Sequence, residues 1–106
     1  MPTVVFVEHN GLEHAVDVSI GDTLMEGAVR NAVPGIVAAC GGDGGCATCQ
    51  VYVEEGWTDL IGKPSANERN TLQFAFERRA NSRLACQIVM TEALHGLVLR
   101  MPPRQF

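Results

Sequence analysis

The chain has 106 residues, a length typical of one small domain, and we expect a single domain over residues 1–106. Hydrophobic residues make up 46% of it, which excludes intrinsic disorder, and no apolar run reaches the roughly 18 residues of a membrane span. The net charge of −4 disfavours nucleic acid as a partner.

The first predicted elements are a β-hairpin and a helix. Residues 3–8 and 12–18 carry strand-like patterns, and the Asn-Gly pair at residues 10–11 predicts a two-residue turn between them. Asp22 or Thr23 can then cap a helix that runs to about residue 31, with a glutamate placed to complete a capping box. These segments would form the first half of a small α+β domain.

The second half of the chain predicts short strands around another helix. Ser65 and Glu68 form the capping-box pattern of a helix that runs to about residue 78. The remaining segments predict three strands and one helical turn, at residues 50–53, 85–90 and 96–101 for the strands and 57–61 for the turn. The whole sequence therefore predicts an α+β fold without internal repeats.

All four cysteines of the chain fall in a pattern typical of metal ligation. Five residues separate Cys40 from Cys46, two separate Cys46 from Cys49, and thirty-six separate Cys49 from Cys86. Three thiols therefore share one loop, while the fourth comes from a distant segment. Iron–sulfur clusters are held by four cysteine thiolates in loop-plus-distant spacings of this kind, so the spacing predicts a 2Fe-2S cluster.

Glycines fill the loop between the first two cysteines. A 2Fe-2S cluster with its thiolates is an anion, and backbone N–H groups that point inward stabilise an anion. Glycine lacks a Cβ and adopts the positive φ angles that bring the backbone close to such a group. We expect four glycines of the loop and the hydroxyl group of one threonine to support the cluster, namely Gly41, Gly42, Gly44, Gly45 and Thr48.

Three other uses of the cysteines remain open. Structural zinc also binds four thiolates, but usually through paired knuckles, and only Cys46 and Cys49 form one. A thioredoxin-like redox pair would use the same two residues and leave the others idle. Disulfides form in oxidising compartments and are rare in the cytosol. Met1 leads almost directly into strand-like residues, so we expect no secretory leader and a cytoplasmic location, which disfavours disulfides.

The residues around the cysteines resemble those of the putidaredoxin and adrenodoxin type of 2Fe-2S ferredoxin. The resemblance rests on the loop from Cys40 to Cys49, on the residues that follow it, and on Ser-Arg-Leu-Ala-Cys-Gln at residues 82–87. It implies a β-grasp fold, a small mixed sheet with a helix packed across it. The sequence is similar in particular to bacterial ferredoxins that feed electrons to cytochrome P-450 monooxygenases.

This resemblance implies a one-electron carrier. It would take electrons from an FAD-dependent, NAD(P)H-dependent ferredoxin reductase and pass them to a cytochrome P-450 through the cluster. No acid–base pair or nucleophile constellation appears, so we expect no enzymatic activity of its own. A shuttle that presents one face to successive partners is expected to be a monomer. The alternatives are a ferredoxin of iron–sulfur cluster assembly and a structural zinc-binding module.

The second helix is where the sequence departs from that pattern. The resemblance implies an acidic docking helix there, whereas this chain carries Arg69, Arg78 and Arg79 in and after it. Phe74 lies about 200° round a helix from Leu72 and should face away from the core, unless it packs under a neighbouring loop. The candidates for partner docking are Asp43, Phe74, Arg104 and Phe106.

The charges are distributed unevenly along the chain. Residues 1–62 hold nine acids and one base, a balance of −8, whereas residues 63–106 hold three acids and seven bases, a balance of +4. Such asymmetry can steer a charged partner and fix its approach, and the effect weakens as salt rises.

Overall fold

Five strands form one mixed sheet in the computed structural model, which describes residues 2–33 and 49–103. In chain order they are β1 (Thr3–Val7), β2 (Glu13–Asp17), β3 (Gln50–Val53), β4 (Ser82–Leu84) and β5 (Leu97–Arg100). Across the sheet the order is β2-β1-β5-β3-β4. The central pair β1 and β5 is parallel, and the other neighbours are antiparallel.

Three short α-helices and two 3-10 turns accompany this sheet in the described residues. The helices are α1 (Leu24–Arg30), α2 (Thr58–Ile61) and α3 (Ala66–Leu72), and the 3-10 turns are Ala85–Gln87 and Glu92–Leu94. The predicted α+β class is confirmed, as are the strand at residues 50–53, the helical turn after Trp57 and the last strand. None of the described helices is long and apolar enough to cross a membrane.

The turn of the first hairpin differs from the prediction. Glu8 N–H donates to Leu12 O at 2.8 Å, which extends the ladder and leaves a three-residue loop of His9, Asn10 and Gly11. A two-residue Asn-Gly turn requires positive φ at both positions, and only Gly11 has it, at 92°. The Asn10 side chain instead accepts a hydrogen bond from Leu12 N–H at 3.0 Å.

Helix α1 begins where the sequence predicts. Thr23 Oγ1 accepts a hydrogen bond from Glu26 N–H, and Glu26 Oε1 accepts one from Thr23 N–H, both at 3.1 Å. This reciprocal pair satisfies two N–H groups that a helix start leaves without partners. The helix packs closely against Val18, the residue after β2. A Cβ added at Gly27 would lie only 2.5 Å from Val18 Cγ2. Its other contacts include the Ala85–Gln87 turn, so α1 helps to position the fourth cysteine.

Helix α3 ends at Leu72, six residues before the predicted end. Phe74 N–H and Ala75 N–H donate to the carbonyls three residues back, each at 3.0 Å, which tightens the chain into a turn. Glu77 then takes a φ of +49°, which no α-helix accommodates. The carbonyls of Phe76 and Glu77 bond to side chains of β3 instead, so tertiary contacts override the local helical pattern.

The predicted strand at residues 85–90 is wrong. The strand lies earlier, at Ser82–Leu84, and residues Ala85–Gln87 form a 3-10 turn. The reason is the length of the partner strand: Gln50 is the first residue of β3 and pairs with Leu84, so β3 offers no strand beyond it. Farther on, Val89 forms only an isolated bridge with Thr23.

One apolar cluster joins the sheet to α1 and α3. Its largest fully buried side chains include Phe6, Leu24, Leu72, Leu84 and Leu99. Burying a side chain of this size contributes about 1.5–3 kcal/mol each. Cys49 and Cys86 belong to this same cluster, so the core holds the segments that carry them.

Candidate metal centre

The structure describes two of the four predicted ligands. Cys49 immediately precedes β3, and Cys86 lies in the 3-10 turn after β4. The other predicted ligands, the loop support and three docking candidates lie outside the described residues, namely Cys40, Cys46, Gly41, Gly42, Gly44, Gly45, Thr48, Asp43, Arg104 and Phe106. Residues 2–33 and 49–103 by themselves contain no group of three or more metal-ligating side chains.

Pairing of β3 with β4 brings the two described cysteines together. Gln50 is opposite Leu84, so Cys49 is opposite Ala85, and Ala85 N–H donates to Cys49 O at 3.0 Å. Cys86 follows directly. Both side chains are buried, with 1% of Cys49 and 5% of Cys86 exposed. Two residues that lie 37 positions apart in the sequence thus meet at the end of one strand pair.

The electrostatics at Cys86 suit a thiolate ligand. The pKa of Cys86 is lowered to about 6, first by a hydrogen bond with the Cys49 side chain and also by Gln87, whereas burial opposes the shift. Gln87 Nε2 donates to Cys86 Sγ at 3.5 Å. Iron binds cysteine as thiolate, and hydrogen bonds to the sulfur stabilise that form. The two described donors therefore fit an iron–sulfur cluster.

A buried ion pair supports the strand that leads to Cys86. Glu68 on α3 accepts from Arg83 Nε at 2.7 Å and Nη2 at 3.1 Å, and its Oε2 also accepts from Leu84 N–H at 2.9 Å. Arg83 Nη1 donates to Gly62 O at 2.9 Å. The sequence pattern predicted a capping box for Glu68, and half of it exists, since Ser65 Oγ accepts from Glu68 N–H. The glutamate carboxylate serves the ion pair instead.

Gln50 forms a second buried polar link beside the cysteines. It is fully buried, its Nε2 donates to Phe76 O at 2.6 Å, and its Oε1 accepts from Ser82 Oγ at 2.7 Å. The residue joins the strand after Cys49 to the turn that follows α3. Sequence reasoning missed both Gln50 and the Glu68–Arg83 pair. The available signal was a polar residue within an otherwise apolar strand.

The docking candidate Phe74 lies on the surface. Its side chain is 84% exposed, so it faces away from the core as expected and does not pack under a loop. Leu72, the residue from which the angle of Phe74 is counted, is buried in the core. Whether Phe74 contacts a partner stays a prediction.

Comparison with known proteins gives the family. The model of the 2Fe-2S iron-sulfur cluster binding domain matches residues 7–91, which include all four cysteines. Putidaredoxin from Pseudomonas putida is 46% identical over 109 residues, covering 100% of both chains. Terpredoxin from a Pseudomonas species is 43% identical over 103 residues, covering 96% of this chain and 97% of terpredoxin.

Solved structures agree with the fold described above. A ferredoxin from Rhodopseudomonas palustris superposes with a TM-score of 0.96 at 42% identity, covering 99% of this chain and 100% of its own. The covalent putidaredoxin reductase–putidaredoxin complex gives 0.91 at 44% identity, with coverages of 96% and 99%. An ISC-like 2Fe-2S ferredoxin from Pseudomonas putida gives 0.79 at 28% identity, with coverages of 100% and 96%.

These matches confirm the predicted β-grasp fold and favour a cluster over zinc or thiol chemistry. They also favour the putidaredoxin type over the cluster-assembly alternative. The ISC-like ferredoxin has a lower identity and a lower TM-score to this chain than the putidaredoxin in the reductase complex. The family model covers most of the chain, and two relatives match it almost from end to end. The chain belongs to the 2Fe-2S ferredoxin family: it binds a 2Fe-2S cluster and carries electrons, and it is not an enzyme.

Proposed function

We propose that this chain carries single electrons from an FAD-dependent, NAD(P)H-dependent ferredoxin reductase to a cytochrome P-450 monooxygenase. The observation that carries the proposal is its likeness to putidaredoxin, of which a covalent complex with putidaredoxin reductase has been solved. A reductase is therefore the electron donor that the comparisons support most directly. The P-450 as acceptor rests on the resemblance of the cysteine-containing segments.

We assign the four cysteines Cys40, Cys46, Cys49 and Cys86 as the cluster ligands. The bound cluster supplies a centre that takes up and releases one electron. The described residues do the rest: Cys49 and Cys86 are buried at the end of the β3–β4 strand pair, and Gln87 donates to the sulfur of Cys86. The loop glycines and Thr48 would stabilise the cluster's negative charge through backbone N–H groups and one hydroxyl.

The remaining features of the proposal follow from shuttling. We expect a monomer, because a carrier must reach two partners in turn with the same face, and we keep the expectation of one domain and a cytoplasmic location. Docking is expected to be weak, since redox encounters use small interfaces. The docking candidates remain Asp43, Phe74, Arg104 and Phe106, of which only Phe74 lies in the described part of the chain.

Reconstitution tests this proposal. The purified holoprotein is mixed with a flavin reductase and a cytochrome P-450 encoded beside its gene, and NAD(P)H consumption and oxygenated product are measured. We expect turnover only when all three proteins are present. A Cys86→Ser variant is the matched control, because it removes one ligand sulfur and should abolish both the cluster's visible absorbance and turnover. Failure of the red-brown holoprotein to support turnover would refute the choice of partners but not the cluster.

A further inference from the structure

One exposed aromatic residue and two arginines lie together in sequence on the turn that follows α3. We define the basic turn as Phe74, Arg78 and Arg79. All three residues are exposed, and Phe74 has the largest exposed fraction among the large hydrophobic residues of the described chain. An exposed aromatic side chain a few residues from exposed arginines is typical of an interaction surface rather than of a solvated loop, since Arg and aromatic residues dominate interface hot spots.

The backbone under the basic turn is held by strand β3 and the start of β4. Gln50 donates to Phe76 O at 2.6 Å, and Tyr52 Oη donates to Glu77 O at 2.7 Å. At the other end, Arg79 N–H donates to Ser82 Oγ at 2.8 Å. These bonds hold the backbone on both sides of Arg78. A surface that is already ordered loses less entropy when a partner binds.

The charges of this region are unbalanced. Residues 63–83 hold four exposed cations and one exposed anion, Glu77, because Glu68 and Arg83 pair with each other in the interior. Of these cations, Arg69, Arg78 and Arg79 have no carboxylate within ion-pair distance in the described part of the chain. Arg79 lies over the Tyr52 ring, 4.2 Å from its centroid, which fixes its guanidinium without neutralising it.

The basic turn is also close in covalent terms to a cluster ligand. Gln50 follows Cys49 directly, and its side chain bonds to Phe76 O inside the turn. One side chain therefore links the residue that follows a predicted ligand to the backbone of the segment that carries the cations.

We propose that the basic turn docks an acidic, partly apolar face of the redox partners, with carboxylates meeting Arg78 and Arg79 and apolar groups meeting Phe74. The basic turn is positive although the chain as a whole is acidic, so the net charge of −4 does not predict an acidic partner surface. The inference rests on the proposed function and specifies the chemistry of the partner surface. It makes electron exchange sensitive to the charge of these two arginines.

Small inorganic oxidants of opposite charge test the inference without any partner protein. The reduced holoprotein gives one electron to hexacyanoferrate(III), forming hexacyanoferrate(II), or one to hexaammineruthenium(III), forming the ruthenium(II) ion. We expect the rate with the anion to fall as ionic strength rises, because it meets a positive surface. In the Arg78→Glu/Arg79→Glu variant, that rate should fall at least about fivefold at low salt, and the rate with the cation should rise.

Two variants serve as controls in the same assay. Arg30→Glu changes an exposed arginine on α1, a helix that packs against β2 and the Ala85–Gln87 turn, and should alter both rates less than about twofold. Phe74→Ala leaves the charge unchanged and should leave both small-ion rates unchanged. In the reconstituted system, however, it should raise the concentration of carrier needed for half-maximal turnover, as the arginine double variant should.

The outcomes are separable from those of the proposed function. A rate with hexacyanoferrate(III) that rises with salt, or a double variant no different from Arg30→Glu, would overturn the inference even if the reconstituted system turns over. Conversely, loss of the P-450 assignment would leave the small-ion result intact. Retained cluster absorbance in every variant ensures that a lost rate reports the surface and not the fold.

Discussion

Replacing Glu68 by glutamine tests how strongly the buried ion pair holds the segment that bears Cys86. Only 2% of the Glu68 side chain and 10% of the Arg83 side chain are exposed. The carboxylate accepts three hydrogen bonds, two from Arg83 and one from Leu84 N–H. Glutamine has nearly the same volume as glutamate, but it is uncharged, and its NH₂ group would face an N–H donor of Arg83. The change therefore isolates electrostatics from packing.

The expected cost follows from that geometry. Breaking a buried ion pair from one side costs about 3–5 kcal/mol, because the remaining charge is left without a partner. A glutamine oxygen at the position of Oε2 can still accept from Arg83 Nε and Leu84 N–H, so we expect the lower end of that range, about 3 kcal/mol, for Glu68→Gln. For a domain of this size, 1 kcal/mol corresponds to about 4–8 °C in the unfolding midpoint, so the midpoint should fall by roughly 12–24 °C.

The assay is thermal unfolding of anaerobic holoprotein, followed by cluster absorbance and far-ultraviolet circular dichroism at matched scan rates. Glu54→Gln is the matched control, because Glu54 pairs with Arg100 on the surface, where such pairs contribute about 0.2–1 kcal/mol. The Glu68→Met/Arg83→Met double variant removes both charges and should cost less than Glu68→Gln. If Glu68→Gln and Glu54→Gln lowered the midpoint equally, the reasoning about burial would be refuted.

Three other changes test the rest of the fold. Gly27→Ala should lower the urea midpoint, because its Cβ would lie 2.5 Å from Val18 Cγ2, whereas in a Val18→Ala background it should not. Thr23→Ala removes the cap of α1 and should cost about 1 kcal/mol, so a loss below about 0.3 kcal/mol would count against the capping box. Burial raises the pKa of Tyr52 above its ordinary value of 10.0, so stability is kept below pH 10 and lost as the pH rises through the higher value. Absorbance titration of this single tyrosine checks it, and a midpoint at or below 10 would contradict it.

The features that the sequence predicts well are set by local chemistry. The Thr23–Glu26 capping box depends on two residues three positions apart, and it forms as predicted. Strand-like local sequences likewise predicted β1, β3 and β5, the first of them from its alternation of polar and apolar residues. The cysteine spacing led to the cluster because four thiols in that order have few other uses, and the family match confirms it. Each of these signals can be read without knowledge of what packs nearby.

The features that it predicts poorly are set by distant partners. The end of α3 depends on the side chains of Gln50 and Tyr52, which take the carbonyls of Phe76 and Glu77 and are more than twenty residues away in sequence. The limits of β4 depend on where β3 begins, since Gln50 is its last available partner. The Glu68 carboxylate could complete the local capping box or pair with Arg83, and only the tertiary structure decides which of the two forms.

Strand β3 adjoins a predicted cluster ligand and also supports the proposed docking surface. Substitutions that disturb β3 should therefore differ in effect from substitutions on the docking surface alone. β3 begins directly after Cys49, and its side chains Gln50 and Tyr52 hold the backbone of the basic turn. A change at Gln50 should therefore weaken retention of the cluster and binding of the partner together. Changes at Arg78 reach only solvent and partner, so they should alter the encounter and leave the cluster intact. A dependence of cluster retention on Arg78 would mean that the turn has a structural role and does not serve recognition alone.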